Sequence, residues 1–95
     1  MLLGEMIARF EDEVFASETL FALDDLALTA RVMALAAKSH LSAGEFAVQS
    51  VDRFVSGASD EEWLTLFGVI SRAGNPGQAF LQRVLANALM LPHET

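Results

Sequence analysis

The sequence predicts an all-α fold, a compact bundle of four to five short helices. Apolar residues recur at intervals of three and four along most of the chain. Two Ser-x-x-Glu segments have the form of helix-capping boxes, and the stretches between the apolar segments are short. At 95 residues the chain has the size of one small domain, so we expect residues 1–95 to form a single helical domain. The predicted helices cover residues 2–16, 18–39, 43–56, 60–73 and 76–90.

The first two helices have weaker end signals than the others. The helix over residues 2–16 carries one apolar stripe, formed by Leu3, Met6, Ile7, Phe10 and Val14. Ser17 is a candidate N-cap for the second helix. An alternative remains open here, because Asp24 and Asp25 are also suited to cap a shorter helix that begins at Leu26, after an extended segment over residues 18–23.

The second helix is apolar on two nearly opposite sides. One side consists of Phe21, Leu28, Val32 and Leu35, and the other of Leu26, Ala30, Met33 and Ala37. A helix that is apolar on both sides is expected to be buried on both.

The third helix has the clearest start. With Ser42 as the N-cap, Glu45 occupies the third helical position, and the two residues form a reciprocal capping box. Leu41 and Phe46 occupy the positions of a hydrophobic staple. Gly57 is expected to end this helix in a left-handed conformation.

The last two helices have similar start signals. Ser59 and Glu62 form a second predicted capping box. Asn75 is the predicted cap of the final helix, with Pro76 at its first position and Gln78 in the box position.

Composition indicates a partner for the apolar surface. The chain is 53% hydrophobic and 20% charged, which is more apolar than a bundle of this size easily buries. We therefore expect a homodimer or a complex with another protein. The predicted self-association surface consists of Leu28, Val32, Leu35 and Phe46.

Charge and hydropathy disfavour other partners. The chain is acidic, with a net charge of −7 and scattered Lys and Arg residues, so nucleic acid is an unfavourable partner. Its apolar runs are shorter than the roughly 20 residues of a membrane span, and its start lacks the pattern of a signal peptide. We expect a cytoplasmic protein without membrane association.

The residues that usually carry catalysis are scarce. The chain has no Cys or Tyr, and its only imidazoles are His40 and His93. The acidic run from Glu11 to Glu13 lacks the spacing of a calcium loop, and no phosphate-binding loop is present. We expect no catalytic residues, no cofactor and no metal site. Trp63 and the phenylalanines are expected to be core, with an apolar ligand pocket as the alternative.

Residues 30–55 resemble the helical hairpin of ribbon-helix-helix DNA-binding proteins. The positions that match its core and cap pattern are Leu35, Ala36, Lys38, Ser42, Glu45, Phe46, Val51 and Phe54. The resemblance implies an intertwined dimer whose paired strands read the major groove, and residues 18–23 would be the strand.

The sequence thus favours a small non-catalytic all-α interaction module that associates with itself. The alternatives are a ribbon-helix-helix-like transcriptional regulator or antitoxin, and a carrier of an apolar small molecule.

Overall fold

The computed structural model describes residues 3–90, which form six α-helices joined by short turns. Their bounds are α1 Leu3–Arg9, α2 Glu13–Ala22, α3 Leu26–Lys38, α4 Ala43–Gly57, α5 Asp60–Ser71 and α6 Pro76–Met90. None of the residues from 3 to 90 lies in a strand. The all-α class is confirmed, but residues 3–90 form six helices rather than four or five.

The predicted helix over residues 2–16 is divided into α1 and α2, and residue 2 lies outside the described residues. After this break Asp12 caps α2: its Oδ1 accepts the backbone N–H groups of Val14 at 2.8 Å and of Phe15 at 3.4 Å. The acidic run around Asp12 therefore marks a helix start.

The turn between α1 and α2 brings Phe10 into the core. Phe10 is fully buried, and its ring centroid lies 4.9 Å from that of Phe15 and 5.6 Å from that of Phe80. Val14, which a continuous helix would place on the same stripe, is 66% exposed. Burial of Phe10 thus accompanies the change of direction after α1.

The predicted helix over residues 18–39 is also divided. α2 ends at Ala22 and α3 begins at Leu26, with Asp25 as its N-cap. Asp25 Oδ1 accepts the backbone N–H of Leu28 at 3.0 Å, and Asp24 has a φ of 60°. The alternative in which a helix begins at Leu26 is therefore confirmed.

Two other predictions for this region are wrong. Ser17 is not an N-cap, because it lies inside α2. The segment over residues 18–23 is not extended, because residues 18–22 complete α2. Thr19 and Leu20 are buried there, and the Thr19 hydroxyl donates to the carbonyl of Phe15 at 2.8 Å. Leu20 faces the core, whereas Phe21 is 56% exposed on another side of α2.

A Schellman motif ends α3 and turns the chain towards α4. The backbone N–H of Leu41 donates to the carbonyl of Ala36 at 2.8 Å, and that of His40 donates to the carbonyl of Ala37 at 3.1 Å. His40 has the left-handed φ of 61° that this motif requires. Leu41 packs against the core immediately after the turn.

Side-chain caps begin the last three helices. The Ser42 hydroxyl accepts the N–H of Glu45 at 3.0 Å, and the N–H of Ser42 donates to Glu45 Oε1 at 2.8 Å. Ser59 and Glu62 repeat this arrangement at 3.2 and 3.1 Å. These reciprocal bonds satisfy backbone donors that have no partner inside the helix.

The start of α6 has the predicted cap, whereas the end of α4 differs from the prediction. Asn75 Oδ1 accepts the N–H of Gln78 at 3.0 Å, so Asn75 caps α6. Gly57 does not adopt a positive φ, and the prediction of a left-handed glycine is wrong. It is instead the last residue of α4, and the extended backbone of Ala58 ends the helix.

All six helices contribute to one hydrophobic core. α4 packs against α2, α3 and α6, and α5 packs against α6. Gly44 permits the close approach of α4 to α2, since a Cβ atom there would lie 2.6 Å from the carbonyl oxygen of Glu13. None of the helices in residues 3–90 is long and apolar enough to cross a membrane. The largest fully buried side chains are Phe10, Phe80, Leu20, Leu66, Leu81, Leu85, Val32, Val51 and Val84.

Candidate interaction surface

The four side chains predicted to form a self-association surface lie in the interior of a single chain. Val32 is fully buried, Leu28 and Phe46 are each 8% exposed, and Leu35 is half-buried against the core. The α3 residues among them belong to the face that packs towards α4 and α6. In the single chain, these four side chains therefore offer little surface to another chain.

The outer face of α3 is apolar and exposed. Leu26 is 84% exposed and Met33 is 49% exposed, and Ala30 and Ala37 are exposed beside them. At 100° per residue these four positions fall within an arc of about 60°. Within one chain, α4 and α6 cover only one of the two apolar sides of α3, so the expected burial of the second side is not provided by the bundle itself. We call these four residues the α3 stripe.

Charged side chains lie away from the α3 stripe. Arg31 and Lys38 are exposed and project at about 120–140° from the direction of Leu26. Asp24 and Asp25 immediately precede the helix, and Asp25 Oδ2 accepts a hydrogen bond from the side-chain amide of Gln82 at 3.2 Å. The stripe is thus uncharged along its length, with acidic residues before it and a lysine at its far end.

A second apolar face lies on α5. Leu64 is 70% exposed and Phe67 is 46% exposed. The ring centroid of Trp63 lies 5.1 Å from that of Phe54 and 6.1 Å from that of Phe67. Trp63 is therefore part of an aromatic cluster that joins α5 to α4.

Phe67 also lines an apolar groove between α1 and α5. Other side chains of this groove are Leu3, Ile70 and Pro76, and its volume is about 560 Å³. The groove is partly open to solvent. It therefore extends the exposed apolar face of α5 towards α1.

A third apolar area lies on α2. Val14 is 66% exposed and Phe21 is 56% exposed, and both line a shallow groove beside the start of α4. They are seven residues apart and so share one side of the helix. The outer faces of α2, α3 and α5 each expose two large apolar side chains.

The polar side chains of the described residues serve mainly to shape helices. The two buried hydroxyls, on Thr19 and Ser50, donate to the carbonyls of Phe15 and Phe46 at 2.8 and 2.9 Å. Within residues 3–90, every buried side-chain nitrogen or oxygen has a hydrogen-bond partner. No three carboxylates or imidazoles gather there in a way that would hold a metal ion. His93 lies outside the described residues.

Glu62 connects the start of α5 to α6. The backbone N–H of Ser59, and then the Ser59 hydroxyl, stabilise the carboxylate and hold the pKa of Glu62 below its ordinary value. The side-chain amide of Asn87 donates to Glu62 Oε2 at 3.3 Å. The pKa of Glu62 is therefore lowered by the donors of a helix cap and by one contact between α5 and α6.

Comparison with known proteins gave no match to a family model, a curated protein or a solved structure. The observations that indicate an interaction surface therefore come from the geometry of this chain alone. Sequence reasoning identified the second apolar side of α3 and counted it as surplus apolar surface, but it placed the self-association residues on the opposite side. A stripe of Leu26, Ala30, Met33 and Ala37 has the same periodicity whether a neighbouring helix or solvent lies beside it.

Proposed function

We propose that this chain is a small, non-catalytic protein-interaction module that associates with a second copy of itself. The supporting observation is the apolar outer face of α3, where Leu26 is 84% exposed and Met33 is 49% exposed. Contiguous apolar surface of this kind is typical of interaction sites, whereas single exposed apolar residues are common on any protein.

The hydrophobic core is complete without the outer faces of α3 and α5, and this also supports a partner outside the chain. Side chains from all six helices already fill one hydrophobic cluster. The outer faces of α3 and α5 are not needed to complete it, and their apolar residues remain in contact with water. Removing such surface from water stabilises association by about 25 cal/mol per Å² before the costs of binding are counted.

The distribution of polar groups favours binding over catalysis. Five polar side chains each accept a backbone N–H at the start of a helix. They belong to Asp12, Asp25, Ser42, Ser59 and Asn75. His40 occupies the turn that ends α3. These groups are distributed over separate helix ends, whereas catalytic groups usually converge within hydrogen-bonding distance of one reacting atom.

The mass of the protein in solution tests this proposal. Size-exclusion chromatography with multi-angle light scattering, at low and high micromolar concentrations, should give twice the chain mass of 10.3 kDa. Sedimentation equilibrium on the same samples should yield a dissociation constant. A constant mass of one chain up to the highest concentration would contradict self-association.

A further inference from the structure

We infer that two copies of this chain pair through the α3 stripe, with their α3 helices antiparallel about a twofold axis. This inference rests on the proposed self-association and adds the surface, the orientation and the residues that meet. It follows from the order of large and small side chains along α3 and from the charges at the two ends of the helix.

The α3 stripe is complementary in size to its own reversed copy. If the twofold axis passes between Arg31 and Val32, Leu26 faces the partner's Ala37 and Met33 faces the partner's Ala30. Each large exposed side chain then packs over a small one, and each alanine receives a large side chain. This interdigitation gives the dense packing on which helix contacts depend.

The charges favour the same orientation. Lys38 lies at the C-terminal end of α3, and Asp24 and Asp25 immediately precede its N-terminal end. Antiparallel pairing brings Lys38 of each chain to the level of Asp24 and Asp25 of the other. The helix dipoles are also opposed in this arrangement, which is the favourable orientation.

A parallel pair lacks these features. Each residue would face its own copy, so Leu26 would meet the partner's Leu26, and the alanine positions would leave gaps between the helices. Asp24 and Asp25 would also lie beside the partner's Asp24 and Asp25. Like charges in contact are unfavourable, and the chain already carries a net charge of −7.

Substitution of Leu26 tests the surface. Because Leu26 is exposed at the first position of α3, Leu26→Glu should leave the fold intact, and an acidic residue there suits the helix dipole. We expect the dissociation constant of the dimer to rise at least about tenfold. Leu64→Glu is the matched control, since Leu64 is similarly exposed on α5. A dimer weakened by Leu64→Glu but not by Leu26→Glu would overturn the inference.

Single cysteines test the orientation in a chain that contains no native cysteine. A disulfide requires Cα atoms within about 7 Å, and antiparallel pairing brings residues 26 and 37 of different chains together. It separates the two copies of residue 26 by about 16 Å along the helix axis. We therefore expect Leu26→Cys and Ala37→Cys chains to crosslink when mixed, but neither to crosslink alone.

The outcomes separate this inference from the proposed function. Self-crosslinking of Leu26→Cys chains, with none to Ala37→Cys chains, would overturn the antiparallel arrangement. A wild-type dimer that survives Leu26→Glu would overturn the α3 interface and leave self-association standing. A wild-type protein that stays monomeric would overturn both. Circular dichroism of each variant establishes that its helices are retained.

Discussion

At the residue scale, Gly44 controls how closely α4 approaches α2. A Cβ atom at this position would lie 2.6 Å from the carbonyl oxygen of Glu13 and 3.3 Å from Ser17 Cβ. The nearer atom belongs to the backbone of α2, so it cannot move aside as a flexible side chain would. The absence of a side chain at Gly44 thus permits a contact between two helices.

We therefore predict that Gly44→Ala lowers the free energy of unfolding by about 1–3 kcal/mol, the usual cost of overpacking a close contact. Gly57→Ala is the matched control in the same helix, because a Cβ there has no neighbour within 4 Å. The control should raise stability slightly, by at most about 1 kcal/mol, since alanine favours helix more than glycine does. Urea denaturation followed by circular dichroism measures both. Similar effects of the two substitutions would contradict the steric role of Gly44.

At the element scale, the two ends of α3 are set by different local interactions. Asp25 begins the helix by accepting the N–H of Leu28, and the Schellman motif at His40 and Leu41 ends it. The motif requires a left-handed residue, and His40 adopts this conformation with a φ of 61°. A residue with a Cβ atom is strained in that region, whereas glycine is not.

We predict that His40→Gly raises the free energy of unfolding by about 1 kcal/mol, because it removes the strain of a left-handed side chain. His40→Ala removes the imidazole but keeps Cβ, so it should give no such gain. Thermal and urea unfolding of the two variants measure the difference. An equal gain in both would assign the effect to loss of the imidazole and contradict the conformational explanation.

At the scale of the whole molecule, Phe10 connects α1 and α2 to α6. It lies in the turn between α1 and α2, and its ring stacks against Phe80 of α6. It is fully buried, and Phe15 contacts it from α2. The turn at Phe10 therefore depends on contacts made across the core.

We predict that Phe10→Ala lowers the free energy of unfolding by about 3–5 kcal/mol, a large part of the roughly 5–15 kcal/mol that stabilises a typical domain. Phe21→Ala is the matched control, because Phe21 is 56% exposed and should contribute less than about 1 kcal/mol. Urea denaturation of both variants provides the comparison. If Phe10→Ala were no more damaging than Phe21→Ala, the placement of Phe10 in the core would be wrong.

The sequence by itself determined where the last three helices begin. Ser42, Ser59 and Asn75 each cap a helix through a backbone N–H three residues further along the chain. Such bonds need no distant residue, so their pattern is visible in a short segment. The helical periodicity that identifies the all-α class is equally local.

Only the tertiary structure decided between the two alternatives for the start of α3, placed a turn at Phe10 and determined which side of α3 is buried. The turn at Phe10 is accompanied by a contact with Phe80, which is distant in sequence. Leu28 and Leu26 lie on two apolar sides of one helix, and periodicity does not distinguish them. The packing of α4 and α6 buries the side of Leu28 and leaves Leu26 exposed. The candidate surface is therefore a consequence of how the helices pack, since local propensity is the same on both sides.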